Sequence, residues 1–246
     1  MCCFSRPVIT VTDTNIFARA AKEGRQYLVY SMLLNAKEEL AMILPLPVPK
    51  ASKEDVVHFI NLEKYPDFFA ELRSGFPVPP ASRGPSKGGD DREWKPLKVV
   101  EVGSFVASFV PSVADFRRLD ERFRLPTEVW DKLPMYQDFG FAVFQLKKGE
   151  HKIHPMAFEF PRADPKQLFF PTVHIHDGTV KAKAHFHHTL FCQKSAEENL
   201  MRWEESTRPA GMFMKNVAAS QGIVDPAAHC YKKMLLGEMK NEDILV

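Results

Sequence analysis

Residues 8–11 and 15–20 are rich in β-branched and aromatic side chains, and Glu23-Gly24 supplies a turn before a third apolar run at residues 26–34. A fourth run at 40–44 precedes Pro45 and Pro47, which stop regular ladder pairing. This opening predicts a β-meander. The spacing of Val56, Val57, Phe59 and Ile60 behind Ser52 predicts a capped helix. A second helix is expected from Pro66 through Phe68, Phe69 and Leu72 to Gly75. Residues 99–110 read as a strand, with a short helix from Ser112 through Phe116. Residues 139–146 and 153–160, joined by Lys147-Lys148-Gly149-Glu150, read as a β-hairpin. Ser195 and Glu198 form a capping box ahead of a helix, and Asp225-Pro226 opens a last helix carrying Cys230, Tyr231, Met234 and Leu235.

Residues 79–96 break these patterns with Pro, Gly, Ser and charge, the composition of a flexible surface loop. The expected fold is therefore α+β: one domain over residues 1–246, mostly antiparallel β-sheet with peripheral helices and that loop on its surface. Twenty phenylalanines in 246 residues, with 45% hydrophobic and 26% charged positions, suit a globular core. A formal charge of +2 disfavours a dedicated nucleic-acid binder, and the aromatics are not interleaved with a basic stripe. No apolar run approaches the roughly 20 residues a membrane helix needs. With no signal-peptide pattern and only four cysteines, a reduced cytoplasmic protein is expected.

The most legible chemistry lies between residues 168 and 192. Asp177-Gly178 is a type I′ turn signal, because both central positions of that turn need positive φ. A two-residue loop there would pair His176 with Thr179 and His174 with Lys181. Strand alternation then places His174, His176, His185 and His187 on one polar face, and Phe186, His188, Leu190 and Cys192 on the core face. Neutral imidazoles suit zinc, copper or iron. In a flat hairpin the two histidine pairs would stand about 13 Å apart. One ion therefore needs a bulge or further ligands, for which His151 and His154 are the candidates. The leading expectation is a transition-metal-binding protein, and a metal there would polarise a bound oxygen or water.

Cys2 supports a second reading. Removal of Met1 would leave an α-amine beside a thiol, the pairing of base and nucleophile used by N-terminal nucleophile hydrolases. Cys2, the strand that follows and Phe17-Ala18-Arg19 together resemble the opening of bile-salt-hydrolase-type amidases over about 30 residues. That resemblance implies Cys2 as nucleophile and Arg19 as substrate-orienting residue. The opening cysteine, Val29-Tyr30-Ser31-Met32 and the proline-spaced segment 42–49 also resemble a group of bacterial proteins of unknown function, which implies no activity. A third reading is a non-catalytic binding protein whose sheet face contacts a partner. For the first two, the ligand or substrate would be a small molecule. Gly-rich phosphate loops, Gly-x-Ser-x-Gly, His-Glu-x-x-His and Cys-x-x-Cys are all absent from the sequence. Cys192 and Cys230 are expected to pack in the core, and Glu159 with Arg162 to form a local ion pair.

Overall fold

The computed structural model describes residues 2–76, 106–176, 178–194 and 200–246. Cys2 and His151 are placed by their backbone alone. The expected loop at 79–96, the first half of the strand at 99–110, Asp177 of the turn and the Ser195–Glu198 capping box lie outside the described residues.

In chain order the strands and helices are β1 (Cys2–Phe4), β2 (Thr10–Ala20), β3 (Arg25–Ala36), β4 (Leu40–Leu46), β5 (His58–Asn61), α1 (Phe68–Ser74), β6 (Val106–Val110), α2 (Thr127–Asp131), β7 (Gly140–Leu146), β8 (Gly149–Pro161), β9 (Phe169–Phe170), β10 (His174–Ile175), β11 (Lys183–Gln193), β12 (Glu204–Glu205), β13 (Tyr231–Lys240) and β14 (Ile244–Leu245). They build a seven-stranded sheet in the order β12-β13-β11-β2-β3-β8-β5 and a five-stranded sheet in the order β10-β1-β4-β7-β6; β9 and β14 form a small pair. Most ladders are antiparallel, but β11 runs parallel to β2 and β1 runs parallel to β10, so the sheets are mixed.

The seven-stranded sheet is buried on both faces at its centre. Ile16, Ala18, Leu28, Tyr30, Phe158, Phe160, Leu190 and Cys192 face one core, shared with Leu40–Leu46 and Phe141–Leu146 of the other sheet. Their immediate neighbours Phe17, Val29, Ala157 and Phe191 enter a second core with Phe68, Phe69 and Leu72 of α1 and with Met214, Ile223 and Cys230. The period-2 geometry of a strand, which sends successive side chains to opposite faces, thus fills two cores from the same strands. Burial pushes the Cys192 and Cys230 thiols up to about 12, which keeps them as unreactive packing groups.

Several expectations are corrected. The 139–146 and 153–160 runs do not pair with each other: β7 lies between β4 and β6, and β8 between β3 and β5. The connection at Gly149 (φ +106°) passes the chain from one sheet to the other. The segment behind Ser52 is turn and then edge strand, because β5 satisfies the open side of β8 from His58↔Glu159 to Asn61↔Met156. The final apolar run is strand β13, which pairs with β11 over ten consecutive positions, from Lys183↔Lys240 to Cys192↔Tyr231. A helical spacing of Cys230, Met234 and Leu235 gives way there to a ladder that satisfies one side of β11. Pro45 sits inside β4, where β1 pairs only with Met42 and Ile43 and the β7 ladder continues to Leu46. α1 ends at Gly75 as the sequence predicts. Glu159 pairs with Arg25 at 3.3 Å, while Arg162 donates instead to the Gly24 and Gln167 carbonyls.

Phe158 is fully buried in the inter-sheet core, with ring centroids 5.8 Å from Phe144 and 6.0 Å from Phe160. Phe158→Ala is expected to cost about 3–5 kcal/mol, whereas Leu236→Ala on the exposed side of β13 should stay within about 0.5 kcal/mol of the wild type. Urea unfolding of both variants checks the contrast.

Candidate functional site

The two halves of the expected histidine hairpin belong to different sheets. Gly178 carries the positive φ (+73°) that the turn signal predicts, but β10 pairs with β1 in the five-stranded sheet and β11 pairs with β2 and β13 in the seven-stranded one. His174 and Lys181 are therefore not ladder partners. The chain diverges instead of folding back because Asn241 occupies the position a strand would take beside His174. Its Oδ1 accepts from the His174 N–H at 2.7 Å, and its Nδ2 donates to the His174 and Lys181 carbonyls at 3.0 and 2.9 Å. Asp243 extends this clasp, accepting from the Thr172 and Val173 N–H groups at 2.7 and 3.0 Å and from the Tyr136 hydroxyl at 2.6 Å. Burial raises the Asp243 pKa, and these donors oppose the rise.

The divergence folds His174 inward. Its Nε2 lies 3.0 Å from Nε2 of His188, a residue only 2% exposed that projects from the core face of β11. His176 stacks on His174 with centroids 5.0 Å apart and an interplanar angle of 26°, and Phe4 and Phe186 close the aromatic cluster at 5.6 and 4.5 Å. Strand alternation sets His188 apart from the polar histidines; its signal in the sequence is the His187-His188 doublet at the change of face.

The hydrogen-bond inventory favours one pair of tautomers. His188 Nδ1 is buried and has no hydrogen-bond partner among the described residues. If His188 donates its Nε2–H to His174, that Nδ1 is a bare acceptor; the opposite direction would bury an unpaired N–H donor, which costs more. His188 is accordingly the donor and His174 the acceptor, with the His174 proton on Nδ1. Both rings are held neutral. Burial, aided by the charge of His176, lowers the His174 pKa to about 3, and burial also holds His188 well below the ordinary histidine value.

The remaining candidates do not join this pair. His185 is exposed and lines a cleft of about 300 Å3 with His174, His176 and Glu238. His187 is exposed, and its Nδ1 accepts from the Asp13 N–H at 3.4 Å. His154 lines a different cavity beside Phe59 and Phe144, where burial lowers its pKa. His151 stands opposite Leu34 in β8. Among the described residues no group of three or more His, Cys, Asp or Glu side chains is arranged to hold a metal ion.

Cys2 and Arg19 are also separated. Cys2 is in register with His174 in the five-stranded sheet, whereas Arg19 is the penultimate residue of β2 in the seven-stranded one. β2 passes the histidine pair at Thr14, the register partner of His188, and the run on to Arg19 carries the guanidinium end about 16 Å farther along the strand. Arg19 donates to the Ile223 carbonyl at 2.6 Å and to that of Gly222, in a basic cleft that the sequence reading missed.

No protein-family model matches the sequence, and no curated protein does. The fold is similar to the crystal structure of baculovirus P35, with a TM-score of 0.53 at 13% sequence identity and a match covering 96% of each chain. It is also similar to a mutated baculovirus P35 after caspase cleavage, with a TM-score of 0.50 at 13% identity, covering 95% of this chain and 99% of that one. At this identity the likeness is one of fold. No described helix is long and apolar enough to cross a membrane.

The buried pair predicts an acid-sensitive fold. An unfolded chain protonates its histidines as pH falls through about 6.5, while folded His174 stays neutral down to about 3. Between those values the unfolded state binds more protons, so stability falls as pH falls, by up to about 1.4 kcal/mol per pH unit for each such imidazole. Urea midpoints measured at pH 7.5, 6.0 and 5.0 should show this decline, and His174→Phe should show a shallower one.

Proposed function

We propose that this chain is a non-catalytic protein that engages a caspase-type cysteine protease and is cut by it. The observation that carries the reading is the likeness to P35 along 96% of both chains, together with the P35 structure whose chain is in the caspase-cleaved state. The sequence between Phe76 and Val106 supports it. That stretch has the composition of a surface loop and contains the adjacent aspartates Asp90 and Asp91, the residue type after which caspases cut.

The sheet order supports it physically. A cut between Phe76 and Val106 divides the chain into a piece carrying β1–β5 and α1 and a piece carrying the rest. β2 and β3 of the first piece lie between β11 and β8 of the second, and β4 is paired along β7. The pieces are interleaved in both sheets and share both cores. A cut there leaves every described strand paired in its sheet, so the protein keeps its fold and its hold on the protease after the peptide bond is broken. Ordinary substrates lack that retention. A pre-ordered scaffold also lowers the entropy cost of presenting the cleaved segment.

The histidine and Cys2 readings draw less from the geometry. Of the metal candidates, His174, His176 and His185 line one cleft, His154 lines another, and His187 and His151 line neither, while Cys2 lies in a different sheet from Arg19.

Incubation with an active caspase, followed by mass spectrometry and a fluorogenic peptidase assay, tests the proposal. The expected result is a single cut after Asp90 or Asp91, a near-stoichiometric fall in peptidase activity, and two fragments that co-elute on native gel filtration. Asp90→Ala/Asp91→Ala should abolish the cut and the loss of activity together. An uncut chain with undiminished peptidase activity across a panel of caspases overturns the reading.

A further inference from the structure

The short ladder of β9 and β14 belongs to neither large sheet, and a cavity of about 360 Å3 lies between it and the segment at residues 135–139. The ladder pairs Phe169 with Leu245 and Phe170 with Ile244, and Leu168 and Val246 exchange both backbone hydrogen bonds beside it, at 2.6 and 2.9 Å. Tyr136, Phe169 and Val173 form the inner lining and are almost wholly buried. The half-buried Phe139 joins the two other rings, with centroids 5.3 Å from Tyr136 at 57° and 6.0 Å from Phe169 at 71°. The volume and the apolar, aromatic lining are those of small-ligand sites.

The walls are tied in place by hydrogen bonds within the protein. Asp243, part of the lining, accepts from the Thr172 and Val173 N–H groups and from the Tyr136 hydroxyl, so its carboxyl group is engaged inward. At the rim the Ala163 N–H donates to the Pro47 carbonyl at 2.7 Å. The cavity is therefore formed before any ligand arrives, which lowers the cost of binding. Met135 and Leu245 stand at its mouth, each 57% exposed, so the apolar lining runs out to solvent. The charges at the mouth have opposite ones beside them. Glu242 pairs with Lys240, and Arg162, held by the Gln167 and Gly24 carbonyls, lies in the field of Asp164.

We propose that this cavity is a binding site for a small, neutral aromatic molecule of more than one ring, seated against Tyr136, Phe139 and Phe169 and covered at the mouth by Met135 and Leu245. A dry cavity of about 150 Å3 takes up one benzene ring, and about 360 Å3 has room for a second. Three protein rings at mutual angles offer both edges and faces to a planar ligand, and such ring pairs add to the free energy of area burial. A charged ligand would give up its water against an apolar wall that supplies no unmatched opposite charge. The site is separate from the protease reading, since every residue lining it lies outside the segment between Phe76 and Val106.

N-Phenyl-1-naphthylamine, a neutral probe whose fluorescence rises when it leaves water, is titrated into the whole protein. The expected result is a saturable rise at one equivalent, reversed by indole. Ala163→Phe places a ring at the mouth from an exposed position, and Met135→Lys puts a charge there. Each should weaken binding at least tenfold with an unchanged urea midpoint. Met234→Lys/Leu236→Lys, which removes exposed apolar side chains from β13, should leave binding unchanged. Absence of saturable binding in the wild type overturns the proposal, as does full affinity in both mouth variants. Equal weakening by the β13 control overturns it too, since that marks adsorption to exposed apolar surface. Displacement by n-octanol and not by indole overturns the aromatic assignment.

Discussion

The double burial of four strands at the centre of the seven-stranded sheet governs the rest of this molecule. β2, β3, β8 and β11 send alternate residues into two cores, so Ile16 and Phe17, or Leu190 and Phe191, are neighbours in the chain yet pack in different clusters. A polar group buried on these strands calls for a partner. Gln26, fully buried, acts as a substitute backbone unit, accepting from the Phe169 N–H at 3.0 Å and donating to its carbonyl at 2.7 Å. An unmatched amide there would cost about 1–3 kcal/mol. Arg73 of α1 does the equivalent at the β2 bulge, bonding Asp13 and Asn15 at 2.6 and 2.7 Å where Asp13 takes positive φ.

That double burial explains which elements the sequence makes legible. β2, β3, β7, β8 and β11 are visible because β-branched and aromatic residues are dense along them, and Glu23-Gly24, Gly75 and Gly178 mark real changes of direction. Pairing is not visible. Strand alternation says which residues share a face, but not which sheet receives a strand, and two short connections, at Gly149 and Gly178, cross between sheets where a hairpin is the simpler reading. β5 and β13 are read as helices because apolar positions four apart fit the period of two of a strand as well as a helical turn. The tertiary ladder overrides the local pattern there.

The same crossing decides the chemistry of the histidines. On a flat hairpin His174, His176, His185 and His187 would share one solvated face, and His188 would be lost in the core. Sending β10 to the other sheet turns His174 toward the interior and makes His188 its partner, while His185 and His187 stay outside. Face assignment was right for His188, whose burial is what alternation requires. The wrong element was the partner strand, and no spacing rule within residues 168–192 contains that information, since Asn241 and Asp243, far along the chain, hold β10 in place.

Charge has to leave such a fold where both cores stop, which is at the strand ends. Strand direction then determines which charges meet. The parallel placement of β11 against β2 brings Lys194 to Arg19, and the antiparallel insertion of β3 restores the direction for β8 and delivers Arg162 to the same rim. In an all-antiparallel sheet neighbouring strands would send their ends to opposite rims, and these three cations would not gather. The mixed topology thus has a chemical consequence that composition conceals: a chain with a formal charge of only +2 brings three cationic side chains together at one end of its central sheet.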